Sequence, residues 1–296
     1  MTFRTRFAPS PTGPLHLGHA YSAILAHDMA LKHNGEFLLR IEDIDQSRAR
    51  PEWEQQIYND LEWLGLWWPT PVLRQSDRRS AYGDVIQRLW DQNYLFACSC
   101  NRRDIMSALA APQEGAPLHG PDGLIYPGTC NEKGSSSGTY AIPEDAALRL
   151  RIIMAGLVAA DSFDGTKIQF SETGSGPNQE TGRIAFDLDE LENCIGDIVL
   201  ARRDMGTSYH LSVVMDDATQ GITHVVRGQD LFEATKIHVV LQRLLGLPTP
   251  IYHHHRLIRD DQGKRLAKRD DARAISKYRD DGYTPEDIRK LVGLSG

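Results

Sequence analysis

The 296-residue sequence lacks several features, and each absence disfavours a class of protein. No apolar run approaches the roughly 20 residues of a membrane-spanning helix, so we expect no membrane segment. The N-terminus, MTFRTRFAPSPTG, carries no apolar stretch of the signal-peptide type, which predicts a cytoplasmic protein. The four cysteines are too few and too clustered to form a disulfide framework.

A basic excess is also missing, because the formal net charge is -7 at pH 7. Proteins that coat nucleic acids non-specifically neutralise phosphates with lysine and arginine, so this class is disfavoured. One segment departs from the average, since residues 256–281 carry nine Arg or Lys against six Asp. This local excess predicts either an RNA-facing surface or an ordinary solvated surface of mixed charge.

The order of apolar runs and turn signals predicts an α/β fold. A strand ends near Pro9, a helical pattern covers about 15–34, and a second strand lies at 37–41. This βαβ unit predicts a parallel sheet. Amphipathic helices are expected at 51–65 and 80–94, and strands and helices alternate again beyond Asp187.

Between Cys98 and about Asp187 the regular pattern is interrupted by proline, glycine and the low-complexity GSSSG of 134–138. Such a break predicts a subdomain inserted into the α/β domain. We therefore expect a first half of the main domain, the insertion, a second half and a helical C-terminal segment, at 1–97, 98–187, 188–250 and 251–296.

Two motifs point to nucleotide chemistry. His16-Leu17-Gly18-His19 lies at the predicted start of a helix, where free N–H groups and the helix dipole favour phosphate. Gly263-Lys264-Arg265-Leu266-Ala267-Lys268-Arg269-Asp270 places four cations in a glycine-led loop that can close over a triphosphate. Taken singly, each motif is more often an ordinary surface feature.

In this order the two motifs resemble the signature sequences of class I aminoacyl-tRNA synthetases. The segments 6–13 (RFAPSPTG) and 39–45 (LRIEDID) resemble glutamyl-tRNA synthetases. The segments 225–231 (VVRGQDL) and 252–257 (YHHHRL) extend the resemblance to their short paralogues, the glutamyl-queuosine tRNA(Asp) synthetases. The resemblance covers nearly the whole chain. It implies a Rossmann-like catalytic domain, an inserted zinc-knuckle subdomain, a short helical C-terminal segment and no anticodon-binding domain.

The resemblance also implies roles for individual residues. ATP, with Mg²⁺ on its phosphates, would be bound by His16, Gly18, His19 and Lys268. Of these, His16, His19 and Lys268 would stabilise the charge that develops as the α-carboxylate of L-glutamate attacks the α-phosphorus. The signature loop departs from the family pattern at Leu266 and Ala267, while Lys268 keeps the lysine position.

The glutamate pocket implied by the resemblance comprises Arg6, Phe7, Ala8, Pro9, Ser10, Glu42, Tyr209 and Arg227. Glutamate carries two carboxylates and one ammonium, so its pocket needs two cationic contacts and one anionic contact. Arg6 and Arg227 supply the cations, and Arg227 is the better candidate for the side-chain carboxylate. Glu42 faces the ammonium, and Tyr209 adds a hydroxyl donor.

Three of the cysteines suggest a metal site. Cys98, Cys100, Tyr126 and Cys130 resemble the zinc knuckle of the family, in which three thiolates and a tyrosine oxygen hold one structural Zn²⁺. The 25 residues between Cys100 and Tyr126 are a longer spacer than the resemblance predicts, and a reduced, metal-free set is the alternative. Under either interpretation Cys194 is expected to be a buried core cysteine.

The function implied by the resemblance is activation of L-glutamate with ATP, followed by transfer to queuosine in the anticodon loop of tRNA(Asp). Only 27 residues follow Arg269, which leaves no room for the anticodon-binding region of a conventional glutamyl-tRNA synthetase. Two alternatives stay open: a truncated glutamyl-tRNA synthetase that charges a tRNA 3′ end, and a catalytically inactive RNA-binding paralogue. We expect a monomer.

Overall fold

A computed structural model describes residues 2–109, 119–131, 141–160, 167–259 and 273–294. The helices are α1 (Leu17–Lys32), α2 (Pro51–Trp63), α3 (Arg79–Asp91), α4 (Arg102–Leu109), α5 (Ile152–Ala159), α6 (Leu188–Cys194), α7 (Tyr209–Thr219), α8 (Ala234–Leu244), α9 (Ile275–Asp280) and α10 (Pro285–Val292). The strands are β1 (Arg4–Phe7), β2 (Glu36–Ile41), β3 (Leu73–Arg74), β4 (Leu95–Cys98), β5 (His119–Gly120), β6 (Gly123–Leu124), β7 (Ala147–Leu150), β8 (Lys167–Glu172), β9 (Gly182–Asp187), β10 (Val199–Ala201), β11 (His224–Gly228) and β12 (Ile251–His255). Among the described residues, no helix combines the length and apolarity that a membrane crossing requires.

The first sheet is parallel, in the order β1–β2–β3, and α1 connects its first two strands. The predicted βαβ unit is confirmed. Ala20, Ala23, Ala26 and Ala30 are completely buried along α1, and their spacing of three or four residues places them on one face. These small side chains let the helix lie close to β1 and β2.

A second sheet has the order β11–β12–β8–β9, with parallel pairs except at the antiparallel β8–β9 edge. The two sheets meet where the N–H of Thr223 donates to the Arg4 carbonyl, at 3.1 Å, and the N–H of Arg4 donates to the Thr223 hydroxyl, at 2.8 Å. Further along, the Arg6 guanidinium reaches the Val226 carbonyl, at 3.3 Å, so β1 and β11 run side by side in the same direction. Their carboxyl ends therefore open onto a common crevice, where α/β sheets bind ligands.

The remaining strands build a smaller unit beside these sheets. The antiparallel sheet β10–β7–β4 leads from the end of β4 into α4, and β5 and β6 form a short hairpin. Phe96, Cys98, Ile105 and Tyr126 form a separate small apolar cluster there. The hairpin residues are therefore supported by a core of their own.

The division into segments stays a prediction, and one other prediction differs from the structure. The expected boundary at residue 187 does not coincide with a break in the sheet, because β8 and β9 lie within 98–187 and β8 pairs with β12. Strands β8 and β9 belong to the second sheet. The prediction that Cys194 is buried is wrong, because its side chain is exposed. Leu191 of α6 and Ile195, directly after the helix, are buried, whereas Cys194 between them is exposed.

Candidate active site

The two histidines of the HLGH motif cap the start of α1. His16 is the N-cap residue, and its Nδ1 accepts the Gly18 N–H at 3.1 Å, while His19 Nδ1 accepts the His16 N–H at 3.1 Å. Since each Nδ1 is an acceptor, each neutral ring carries its proton on Nε2. A Cβ on Gly18 would lie 3.0 Å from the His16 ring, a tight contact that favours glycine at this position. The motif thus fixes two imidazole N–H donors at a helix N-terminus.

A cavity of about 380 Å³ opens at this helix start. Nine of the predicted site residues line it together: Arg6, Phe7, Ala8, His16, Gly18, His19, Glu42, Tyr209 and Arg227. Ser22, Asp230 and His255 are polar lining residues that were not assigned from the sequence. His255 and Asp230 belong to the YHHHRL and VRGQDL segments that carried the resemblance, so their position in those motifs was the available signal.

Two predicted residues, Pro9 and Ser10, are not among the described residues that line the cavity, and a third lies outside the described residues. Pro9 is buried, and its carbonyl accepts the Glu42 N–H at 3.0 Å, so it supports Glu42. Ser10 is exposed. Lys268 and the rest of the basic loop lie outside the described residues. On the flanks of that loop, Ile258 lines the cavity and Ala274 pairs with His16.

Arg227 extends from β11 into the cavity and is almost completely buried. Its Nε donates to His254 Nε2 at 3.1 Å, its Nη1 to His238 Nδ1 at 3.0 Å, and its Nη2 to the Thr235 hydroxyl at 2.7 Å. All three acceptors are neutral, and within the described ranges no carboxylate forms an ion pair with Arg227. Of the five N–H donors of a guanidinium, one on each terminal nitrogen is left for a ligand.

Glu172 fixes the orientation of His254. The carboxylate accepts from His254 Nδ1 at 2.5 Å, which leaves Nε2 as the acceptor that Arg227 requires. Burial raises the pKa of Glu172, but the hydrogen bonds from His254 outweigh it and lower the pKa below its ordinary value. Burial also lowers the pKa of His254. The pair is therefore a carboxylate and a neutral imidazole at pH 7.

Arg6 and Glu42, which line the same cavity, belong to a buried network of charges. Arg40 is completely buried and donates to Asp217 at 2.6 Å and to Glu42 at 3.1 Å. Arg6 donates to the same Asp217 at 3.0 Å. Arg6 thus shares one carboxylate with Arg40, whereas Arg227 pairs with no carboxylate of the described residues. Burial raises the pKa of Glu42, although the Arg40 charge opposes this effect.

Tyr209 begins α7, where the Ser208 side chain caps the helix. Burial raises the pKa of Tyr209, so its hydroxyl keeps its proton and can donate. The ring packs edge-on against His210 and His238, with centroids 5.5 Å and 5.6 Å away. Tyr209 and Arg227 therefore both contact His238.

The predicted knuckle residues also lie together. The sulfurs of Cys98, Cys100 and Cys130 are all within 4.8 Å of one another. The Tyr126 hydroxyl lies 3.6 Å from the Cys98 sulfur and 3.8 Å from the Cys100 sulfur. Thiolates at about 2.3 Å from a tetrahedral Zn²⁺ are about 3.8 Å apart, so the cluster is compatible with zinc. The long spacer to Tyr126 has not separated these groups.

Comparison with known proteins agrees with this site. The model of the tRNA synthetases class I (E and Q), catalytic domain, matches residues 2–296. The Glutamyl-Q tRNA(Asp) synthetase of Rhodobacter capsulatus is 61% identical over 290 residues, which cover 98% of this chain and 99% of the relative. The Glutamyl-Q tRNA(Asp) synthetase of Geobacter sulfurreducens is 37% identical, with 93% and 78% covered.

A solved structure of a glutamate tRNA ligase from Elizabethkingia meningosepticum, in complex with its amino acid, superposes with a TM-score of 0.73 at 25% identity. The match covers 99% of this chain but 61% of that ligase. The expected class I synthetase fold and the ligase class are thereby confirmed. The chain belongs to the class I tRNA synthetases for glutamate and glutamine, and within them to the family of the Glutamyl-Q tRNA(Asp) synthetases.

Proposed function

We propose that this chain joins L-glutamate to AMP, using ATP with Mg²⁺, and transfers the glutamyl group to queuosine in the anticodon loop of tRNA(Asp). The observation that carries the proposal is the charge arrangement of one cavity. Arg227, held by neutral acceptors, faces the same space as Arg6 and Glu42. These charges match the two carboxylates and the ammonium of glutamate.

In the first step an α-carboxylate oxygen of glutamate attacks the α-phosphorus of ATP. A new P–O bond forms, the bond to the bridging oxygen of the β-phosphate breaks, and pyrophosphate leaves with that electron pair. The Nε2–H groups of His16 and His19 would donate to the phosphoryl oxygens as charge builds on them. Mg²⁺ would neutralise the leaving phosphates, and Lys268 is proposed to add a cation.

In the second step a hydroxyl oxygen of the tRNA attacks the glutamyl carbonyl carbon and forms an ester bond. The bond from that carbon to the phosphate oxygen breaks, AMP leaves with its electron pair, and the hydroxyl proton is released to the AMP phosphate or to water. The cyclopentene-diol of queuosine presents vicinal hydroxyls like those of the terminal ribose of a tRNA. An anticodon loop can deliver this base because single-stranded loops splay their bases for stacking and hydrogen bonding. The names of the relatives support this acceptor, and the basic excess between 256 and 281 suits the adjoining phosphates.

The test is to incubate the enzyme with ATP, labelled glutamate and one RNA at a time: tRNA(Asp) with queuosine, tRNA(Asp) without it, or tRNA(Glu). We expect label only in the queuosine-containing tRNA, in its anticodon fragment after nuclease digestion. Glutamate-dependent pyrophosphate exchange is expected without any tRNA. Labelling of tRNA(Glu) at its 3′ end, or equal labelling of the two forms of tRNA(Asp), would contradict the proposal in favour of 3′-end charging. Absence of exchange and transfer would favour the inactive paralogue.

We also propose that Cys98, Cys100, Tyr126 and Cys130 hold one structural Zn²⁺. Elemental analysis of the purified protein is expected to give one zinc per chain. Cys100→Ser should lose the metal and melt at a lower temperature, because a closed thiolate site contributes to folding. The exposed Cys194 provides the matched control, and Cys194→Ser should keep one zinc. An active protein without zinc, or equal behaviour of both variants, would identify a metal-free cluster.

A further inference from the structure

A chain of hydrogen bonds leads from Arg227 out of the cavity to the β5–β6 hairpin. Arg227 Nη1 lies 3.0 Å from His238 Nδ1, and His238 Nε2 lies 3.1 Å from His210 Nδ1. His210 Nε2 then lies 3.2 Å from the carboxylate of Asp122. Both histidines are buried, whereas the Asp122 side chain is one-third exposed at the turn of the hairpin.

The protons along this chain have only one consistent direction. A guanidinium only donates, so His238 Nδ1 is an acceptor and the proton of His238 lies on Nε2. His210 Nδ1 accepts the hydrogen bond from His238 Nε2–H, so His210 carries its own proton on Nε2. That Nε2–H donates a hydrogen bond to Asp122. Burial lowers the pKa of His238 well below its ordinary value, and the Arg227 charge adds to this effect. His238 is therefore neutral, and the hydrogen-bond directions place a proton on Nε2 of each ring.

Both ends of the chain favour this direction, because Arg227 can only donate and the Asp122 carboxylate accepts the hydrogen bond from His210. Without Asp122, His210 can place its proton on Nδ1 and donate to His238 Nε2. His238 then carries its proton on Nδ1, directly facing an N–H of Arg227. The two donors repel, and Arg227 loses one of the three bonds that hold its fork.

We propose that Asp122, acting through His210 and His238, is a positioning residue that keeps the Arg227 fork aligned for the side-chain carboxylate of glutamate. The inference rests on the proposed role of Arg227 in glutamate binding. It also explains why neutral imidazoles surround this guanidinium: they hold it without neutralising it, so its full charge is available to distinguish a carboxylate from the amide of glutamine. A carboxylate in direct contact with Arg227 would neutralise the guanidinium and remove this discrimination.

The experiment measures the dissociation constants of L-glutamate, L-glutamine and ATP by calorimetry for the whole protein. Asp122→Ala is expected to weaken glutamate binding roughly tenfold, because one hydrogen bond to a charged group is lost, with ATP binding changed less than about twofold. Asp122→Asn keeps a carbonyl acceptor and should stay within about threefold of the wild type. His119→Ala, an exposed change in the same hairpin, is the control and should bind like the wild type.

A spectroscopic measurement separates the relay from a general loss of structure. Long-range ¹H–¹⁵N spectra of the wild type should show His210 and His238 protonated on Nε2, with the signals assigned by His210→Asn and His238→Asn. In Asp122→Ala the two tautomers should change while the spectrum of His254 is unchanged.

Several outcomes would overturn the inference. Glutamate binding to Asp122→Ala that equals the wild type contradicts the relay alone, as does an Asp122→Asn variant as weak as Asp122→Ala. Nδ1 protonation of either ring in the wild type would also contradict it. A wild-type protein that binds ATP but no glutamate would contradict the proposed function itself.

Discussion

Arg227→Gln is expected to lower kcat/KM for glutamate activation roughly a thousandfold, which corresponds to about 4 kcal/mol. Glutamine has no charge, and its single amide nitrogen cannot form the two parallel bonds that a guanidinium offers a carboxylate. The side-chain carboxylate of glutamate would then be buried beside neutral groups. The measurement is glutamate-dependent exchange of pyrophosphate into ATP. The dissociation constant of ATP should stay within about threefold, because His16 and His19 are unchanged.

Arg227→Lys separates charge from geometry. A lysine keeps the cation but presents a point charge on a flexible stem, and it cannot bond His254, His238 and Thr235 simultaneously in the same plane. We therefore expect it to recover only a small part of the lost activity, about tenfold above the glutamine variant.

Arg243 on α8 offers the matched control. It is half-buried and donates to the carbonyls of Ala159 and Gln169, and it is not among the residues that line the cavity. Arg243→Gln should therefore leave glutamate activation within about threefold of the wild type. Near-normal exchange by Arg227→Gln, or an equal loss in both variants, would show that Arg227 does not bind the substrate.

The parts of the fold that follow from local pattern were predictable. The alternation of strand, turn and helix over the first 41 residues gave the βαβ unit because its contacts are set by short-range periodicity. Strands β8 and β9 were missed because the chain between them is rich in glycine, serine and polar residues. Their membership in the second sheet depends on pairing with β12, some eighty positions later.

In the candidate site, too, some residues follow from local sequence pattern and others do not. Arg227 and Glu42 stood out because short motifs surround them and because the charges of glutamate require such partners. The groups that hold Arg227 come from β8, the hairpin, α7, α8 and β12, and no local pattern connects them. A histidine in a helix is usually a satisfied core or surface residue. The roles of His210, His238 and Glu172 become visible only when donors and acceptors are matched in three dimensions.

The second large effect concerns the stability of the protein. Asp217→Asn is expected to lower the free energy of unfolding by about 3–5 kcal/mol, because it leaves buried charges without their partner. Asp217 accepts from both Arg6 and Arg40, and Arg40 has no exposed surface. An asparagine keeps the shape but removes the charge between these two cations.

The pH dependence follows from the same contacts. Burial raises the pKa of Asp217, but the charges of Arg6 and Arg40 outweigh it and lower the pKa below the ordinary carboxyl range. The stabilisation is therefore present at pH 7 and lost as the pH falls below that range, because the unfolded chain then binds the proton first. In Asp217→Asn this part of the acid sensitivity should disappear.

Urea denaturation at pH 7 measures the effect, with an unchanged m value showing that the unfolding reaction is the same. Asp84→Asn, an exposed change on α3, is the control and should stay within about 0.5 kcal/mol of the wild type.

Arg40→Met combined with Asp217→Asn removes one charge of each sign. Arg6 and Glu42 then remain as one positive and one negative charge. The double variant should therefore be more stable than Asp217→Asn alone. If the double variant loses as much free energy of unfolding as the two single variants together, hydrogen bonds, and not charge balance, stabilise this buried network.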